Sequence, residues 1–265
     1  MDYTEDQLVR YARHIVLPEV GGKGQEKLLK ASVLVVGAGG LGAPILMYLA
    51  AAGVGTIGVV DDDVVDLSNL QRQVIHTTDR IGSPKVLSAR ATLRDLNPDP
   101  KIVTHETRLD SSNVESLFSE YDIIADGSDN FATRFLIADA AHLIGRTLVS
   151  AAILRFEGQL STFKSHLGKG NPCYRCLFSN PPPEGTVPSC SEGGVFGALA
   201  GVMGALQATE VLKEIIGGGE TLSGNLLLFD ALSTTFRKIR MPSDPSCALC
   251  GVNPTIKDLC KHAID

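Results

Sequence analysis

The chain predicts an α/β fold: a Rossmann-like, mostly parallel sheet with helices on both faces, extended by antiparallel strands and a structural zinc site. Three observations carry this. From Val33 to Ser150, short β-branched runs alternate with helical patterns, the order that buries a parallel sheet between helix layers. The turn Gly37-Ala38-Gly39-Gly40-Leu41-Gly42 joins the first run to an alanine-rich helix. Later, three hairpin-like runs and two C-x-x-C pairs replace the alternation.

Each element follows in order. Thr4 and Gln7 have capping-box spacing ahead of a helix over 5–17, with Arg10, Arg13 and His14 exposed. Residues 21–24 read as a loop and 25–30 as a short helix. A buried strand over 33–36, the glycine turn, a helix over 43–52 and a strand over 56–60 open the core. Residues 61–76 are polar and aperiodic. Ser83 then Pro84 form a hydroxyl cap and first-turn proline for a helix to about Leu96. Strands over 101–107, 122–125 and 147–150 alternate with helices over 112–120 and 131–143. Strands over 158–164, 225–229 and 234–240 follow. Pro181 to Pro183 mark a stiff loop, and 193–216 a helix of small residues.

With 265 residues, 44% hydrophobic and 20% charged, the composition is globular. The net charge of −6 disfavours phosphate-neutralising nucleic-acid binding. Residues 33–60 carry no charge and are long enough to span a membrane, yet they hold seven glycines and Pro44. They read as strand, turn, helix and strand, all buried. No signal-peptide pattern opens the chain, so a cytoplasmic location without a membrane partner is expected. The sequence reads as one unit, 1–265: N-terminal helices over 1–30, a nucleotide-binding core over 31–155, and an extension over 156–265.

The glycine turn fits G-x-G-x-x-G, where small residues let a phosphate approach backbone N–H groups at a helix start. Asp61 ends the next strand, where an acid accepts hydrogen bonds from ribose hydroxyls. A nicotinamide enzyme and an ATP enzyme fit equally to this point. The polar block from Asp61 to Gln73, with Lys85 at a helix start, separates them. Arg72 and Lys85 offset triphosphate charge, and Asn69 and Gln71 supply hydrogen bonds. Asp129, after a later strand end, suits Mg²⁺ bound together with phosphate oxygens. No Walker A sequence is present. A solvated loop remains the competing reading for any one of these residues.

Cys173-Tyr174-Arg175-Cys176 and Cys247-Ala248-Leu249-Cys250 are two knuckles that predict a closed, structural Zn²⁺ site; redox pairs or two chance pairs are the alternatives. Cys190 lies ahead of the small-residue helix, where a helix N-terminus lowers a thiol pKa. A nucleophile and an inert loop thiol both fit. Cys260 is assigned nothing.

Together these residues resemble the MoeB/ThiF family, relatives of ubiquitin-activating enzymes that adenylate small ubiquitin-like sulfur carriers. The resemblance rests on Arg10-Tyr11-Ala12-Arg13, Gly37 to Gly42, and Leu67-Ser68-Asn69-Leu70-Gln71-Arg72-Gln73. Gly82-x-x-Lys85, Asp126-x-x-Asp129-Asn130, Glu157-Gly158-Gln159, the cysteine pairs and the run from Cys190 to Glu210 extend it. It implies ATP at Gly40, Asp61, Ser68, Asn69, Leu70, Gln71, Arg72, Lys85, Asp129 and Asn130, with Mg²⁺ on Asp129. It implies that Arg13 enters the neighbouring subunit's site in a homodimer, and that 156–265 is the carrier-binding, zinc-stapled part. Zinc would sit on Cys173, Cys176, Cys247 and Cys250. In some members the cysteine matching Cys190 links covalently to the carrier, and in others it is dispensable. The tail from Cys250 to Leu259 looks like the start of a linker to a rhodanese domain. No rhodanese is expected within this chain, so a separate protein would donate sulfur. The competing classes are a nicotinamide-dependent oxidoreductase and a non-catalytic zinc scaffold.

Overall fold

The structure, a computed structural model, describes residues 3–168, 170–183, 185–186 and 190–262; of Cys190 and Ser191 only the backbone is described. Two helices lead in, α1 (Glu5–Ile15) and α2 (Gly21–Lys30). Thr4 Oγ1 accepts from Gln7 N–H and Gln7 Oε1 from Thr4 N–H, so the predicted capping box forms. Arg10 and Arg13 are exposed, but His14 is half-buried against Gln25 at 3.0 Å. The predicted loop over 21–24 is instead the first turn of α2. A Cβ on Gly24 would meet Val20 Cγ1 at 2.9 Å, so that glycine serves packing.

The core then alternates: β1 (Ser32–Val36), α3 (Gly42–Ala51), β2 (Thr56–Val60), α4 (Lys85–Leu96), β3 (Lys101–His105), α5 (Val114–Ser119), β4 (Ile123–Asp126), α6 (Phe131–Ile144) and β5 (Thr147–Leu154). It continues through β6 (Glu157–Phe163), α7 (Tyr174–Leu177), α8 (Cys190–Gly193), α9 (Gly197–Ile216), β7 (Asn225–Asp230) and β8 (Thr235–Arg240). The eight strands form one sheet in the order β3-β2-β1-β4-β5-β6-β7-β8. Pairs from β3 to β5 are parallel and those from β5 to β8 antiparallel. Strand order reverses between β1 and β4, which opens a crevice at their carboxyl ends.

Apolar residues fill both faces. Leu46, Ile57, Leu93 and Met203 join α3, α4 and α9 on one side. Phe118, Phe135, Ile137 and Tyr174 join α5, α6 and α7 on the other. Gln207, buried in α9, donates from Nε2 to Asp126 O at 2.8 Å and Val149 O at 2.9 Å, fixing the helix on β4 and β5.

Several boundaries differ from expectation. Strand 101–107 ends at His105, helix 112–120 contracts to α5, and strand 147–150 runs on to Leu154 in a hairpin with β6. Pro84 itself occupies the cap of α4, without a side-chain cap bond from Ser83. The helix expected over 193–216 starts only at Gly197, and Gly193 ends the separate turn α8. Gly194, at φ +76°, lies between the two, and Val195 bridges Arg155. Among the described residues no helix is long and apolar enough to cross a membrane, and residues 33–60 form β1, the turn, α3 and β2.

Candidate active site and metal centre

The glycine turn leaves β1 sharply. Gly37 has φ +90°, which favours glycine. A Cβ on Gly42 would lie 1.8 Å from Gly37 O, so the helix start stacks directly on the turn. Gly37 N–H donates to Val60 O and Gly127 N–H to Val36 O, each at 2.8 Å, tying the three strand ends together. Asp61 closes the turn. Its Oδ2 accepts from Ala38 N–H at 2.7 Å and its Oδ1 from Asp63 N–H at 2.9 Å. Burial raises its pKa, opposed by Lys85 and these two N–H groups.

Asp66 caps the one-turn helix Leu67–Asn69, accepting from Ser68 N–H and Oγ–H. Asn69 Oδ1 returns to Asp66 N–H at 3.3 Å. This turn launches Arg72 into the cleft, where Nη1 donates to Ser68 O at 3.2 Å. Lys85, buried at the start of α4, places Nζ 2.7 Å from Asp63 Oδ2.

On the facing wall, buried Asp126 accepts from Ser128 N–H, Ser128 Oγ–H and Ser150 Oγ–H at 2.6–2.9 Å. This braces the loop that presents Asp129. Asn130 Oδ1 caps α6 by accepting from Thr133 N–H at 2.9 Å. The contact recorded for the Asp129 carboxylate is Asn130 Nδ2 at 3.5 Å, so its oxygens suit a hydrated Mg²⁺ shared with phosphate.

Gly40, Asp61, Arg72, Lys85, Asp129 and Asn130 line one cleft of about 310 Å³. Ser68, Asn69, Leu70 and Gln71 do not line it; they build the turn behind Arg72. Gln71 packs on α9, its Oε1 lying 2.4 Å from where a Cβ on Gly197 would stand. Arg13, exposed on α1, is not among the cleft residues of its own chain. Cys190 opens α8, but its side chain lies outside the described residues.

Three further polar residues carry no predicted role, although Gln73 closes the Leu67–Gln73 string. Arg134 is buried, donates from Nη2 to Ser128 O at 2.9 Å, and leaves Nε without a hydrogen-bond partner among the described residues. It lines both the cleft and a second cavity of about 240 Å³ between α6, β5 and β6; Asp129 and Ile153 are also common to both. Gln73 lines the cleft beside Gly39, with a buried, unsatisfied Oε1. His76 is buried behind the turn, and burial holds its pKa below the ordinary imidazole range.

The four knuckle cysteines converge, each Sγ within 4.8 Å of the others. Cys173–Cys247, Cys176–Cys250 and Cys173–Cys176 separations are 3.5, 3.4 and 3.9 Å. A tetrahedron with Zn–S of ~2.3 Å has edges of about 3.8 Å, so the donor set fits zinc. Asp244 N–H donates to Cys176 Sγ at 3.4 Å, a contact that favours a thiolate there. Four thiolates leave no open position, which fits a structural role.

Residues 11–249 match the ThiF family. The chain belongs to that family. It is 51% identical over 98% of its length to a Thermus thermophilus protein named sulfur carrier protein adenylyltransferase, covering 96% of that protein. It is 53% identical over 97% of its length to the bovine adenylyltransferase and sulfurtransferase MOCS3, but spans only 56% of it. The crystal structure of E. coli MccB aligns with a TM-score of 0.82 over 96% of this chain and 74% of that one, at 21% identity, a likeness of fold. These likenesses do not favour the nicotinamide reading.

Proposed function

We propose that this ThiF-family chain is an adenylyltransferase that activates the C-terminal glycine carboxylate of a small ubiquitin-like sulfur carrier. One observation carries the reading. The cleft holding Arg72, Lys85 and the glycine turn meets a second cavity at Asp129, Arg134 and Ile153. Two anionic reactants entering from different sides would therefore meet beside cations. The names of the full-length relatives agree.

The chemistry needs little proton transfer. A terminal carboxylate with pKa of ~3.5 is ionised at neutral pH. One carboxylate oxygen bonds to the α-phosphorus of ATP while the bond to the bridging oxygen of pyrophosphate breaks. The products are the acyl-adenylate and pyrophosphate. The main barrier is repulsion between anions. Arg72 and Lys85 stabilise the departing pyrophosphate, and the glycine-turn N–H groups hold phosphate oxygens. Asp61 accepts from the ribose hydroxyls through remaining lone pairs. Arg134, which lines both cavities, steers the incoming carboxylate toward the cleft. Mg²⁺ held by Asp129 would supply Lewis-acid polarisation of the phosphates.

The same proposal places Arg13 in the partner's cleft within a homodimer, and assigns the cysteine centre a stapling role between α7 and the C-terminal segment. The chain works as one unit in the cytoplasm, with 31–155 binding nucleotide and 156–265 binding the carrier. Cys190 is kept as the candidate for a covalent link to the carrier. Incubating the protein with ATP and a purified carrier tests the reading: mass spectrometry should find the carrier heavier by one adenylyl group. An unmodified carrier, with quenching fast enough to retain a synthetic acyl-adenylate, would refute it.

A further inference from the structure

We propose that His76 is a positioning residue for nucleotide binding: it locks the Ala38–Gly39 peptide with the Gly39 N–H facing the phosphate site. The inference rests on the ATP reading above.

The imidazole bridges two elements that share no strand. Its Nε2 lies 2.9 Å from Ala38 O in the glycine turn, and its Nδ1 lies 2.9 Å from Ser88 Oγ in α4. A carbonyl only accepts, so Nε2 carries the proton. In the neutral ring Nδ1 then accepts, and Ser88 Oγ–H donates. The ring is 5% exposed, so water does not replace these bonds freely.

The consequence lies in the peptide plane. In a planar trans peptide, C=O and N–H point in opposite directions. Drawing Ala38 O toward buried His76 turns Gly39 N–H the other way, and Gly39 lines the cleft. Glycine at 39 would tolerate the flipped peptide without steric penalty. That flip would aim a carbonyl dipole at phosphate oxygens. Asp61 already fixes the preceding peptide through Ala38 N–H at 2.7 Å. His76 completes the control, and through Ser88 it sets the turn in register with Lys85, one helical turn earlier.

MgATP titration of the full chain tests this with three variants. His76→Gln keeps an Nε donor within reach of Ala38 O; His76→Asn does not reach it. Ser88→Ala removes only the support on Nδ1. The Asn variant should weaken MgATP binding and raise KM for ATP by about tenfold or more, with kcat changed far less. Gln should restore most of the affinity, and Ser88→Ala should fall between. Equal impairment by Gln and Asn, or a folded Asn variant with wild-type affinity, overturns the assignment. In the wild type, the Gly39 amide resonance should shift on MgATP addition; an unmoved Gly39 signal at saturation also overturns it. A wild-type chain that binds no MgATP would instead remove the ATP reading itself.

Discussion

Lys85 Nζ lies 2.7 Å from Asp63 Oδ2, with the lysine side chain 7% exposed and the aspartate 69%. The exposed acid neutralises a buried ammonium at the cleft wall. Under the proposed function, an incoming triphosphate would compete for that same ammonium. Lys85→Met should therefore lower carrier-dependent ATP–pyrophosphate exchange about 10²–10³-fold, the ~3–4 kcal/mol typical of one lost transition-state donor. Asp63→Asn should change it less than about fivefold, since Asp63 is 69% exposed and water can take its place beside the ammonium. Equal losses in steady-state exchange assays would recast Lys85 as a structural partner.

The cysteine geometry predicts one zinc per chain by elemental analysis. Cys250→Ser should lower the melting temperature, by about 4–16 °C if ~2–4 kcal/mol is lost. Calorimetry of wild type with and without a chelator checks the same point. An unchanged melting temperature after full metal removal would exclude a structural role.

Asp139 predicts an acid-side stability loss. It is fully buried, with Arg175 Nε and Nη2 at 2.7 and 2.8 Å and His262 Nε2 at 2.7 Å. Burial alone would raise its pKa, but the His262 and Arg175 hydrogen bonds outweigh burial and lower it. A depressed native pKa means the unfolded state binds the proton more readily. The stabilisation is thus complete above the unfolded value of ~3.9 and disappears as pH falls through the native one. Asp139→Asn should cost about 3–5 kcal/mol at pH 7, because Arg175 loses its buried partner, and should flatten the decline below pH ~3.9. Denaturant midpoints measured against pH provide the check; a variant declining as steeply as wild type would contradict it.

Arg13 predicts complementation between subunits. Arg13→Ala and Asp129→Ala should each be inactive alone. Mixed after dissociation in equal amounts, they should regain about a quarter of wild-type activity, because half the dimers carry one intact site. A mixture no more active than its components would keep Arg13 out of the partner's cleft.

The parts of this account that the sequence displayed are local ones. Val33–Val36 and the glycine turn are adjacent in the chain and Asp61 ends the very next strand, so strand, turn and acid announce themselves together. Asn130 belongs there too: it precedes an apolar helix and has Thr133 at capping distance, although the nucleotide reading hid its capping role. Residues 21–24 misled because three glycines signal a loop; Gly24 is instead small because Val20 and Ile216 pack against it. The roles of Gln73 and His76 were invisible for another reason. His76 acts on Ala38 and Ser88, and Gln207 on Asp126, across sequence gaps that only the folded sheet closes. Arg134 did carry a signal, a cation on the apolar stretch Phe131–Ile144.

The central proposal is that Asp129 and Arg72 let two repelling anions react. Carrier-dependent exchange of labelled pyrophosphate into ATP measures that step directly. Wild type should exchange only with carrier present, whereas Asp129→Ala and Arg72→Ala should lose exchange while keeping the wild-type circular dichroism spectrum. Full exchange by either folded variant would contradict it.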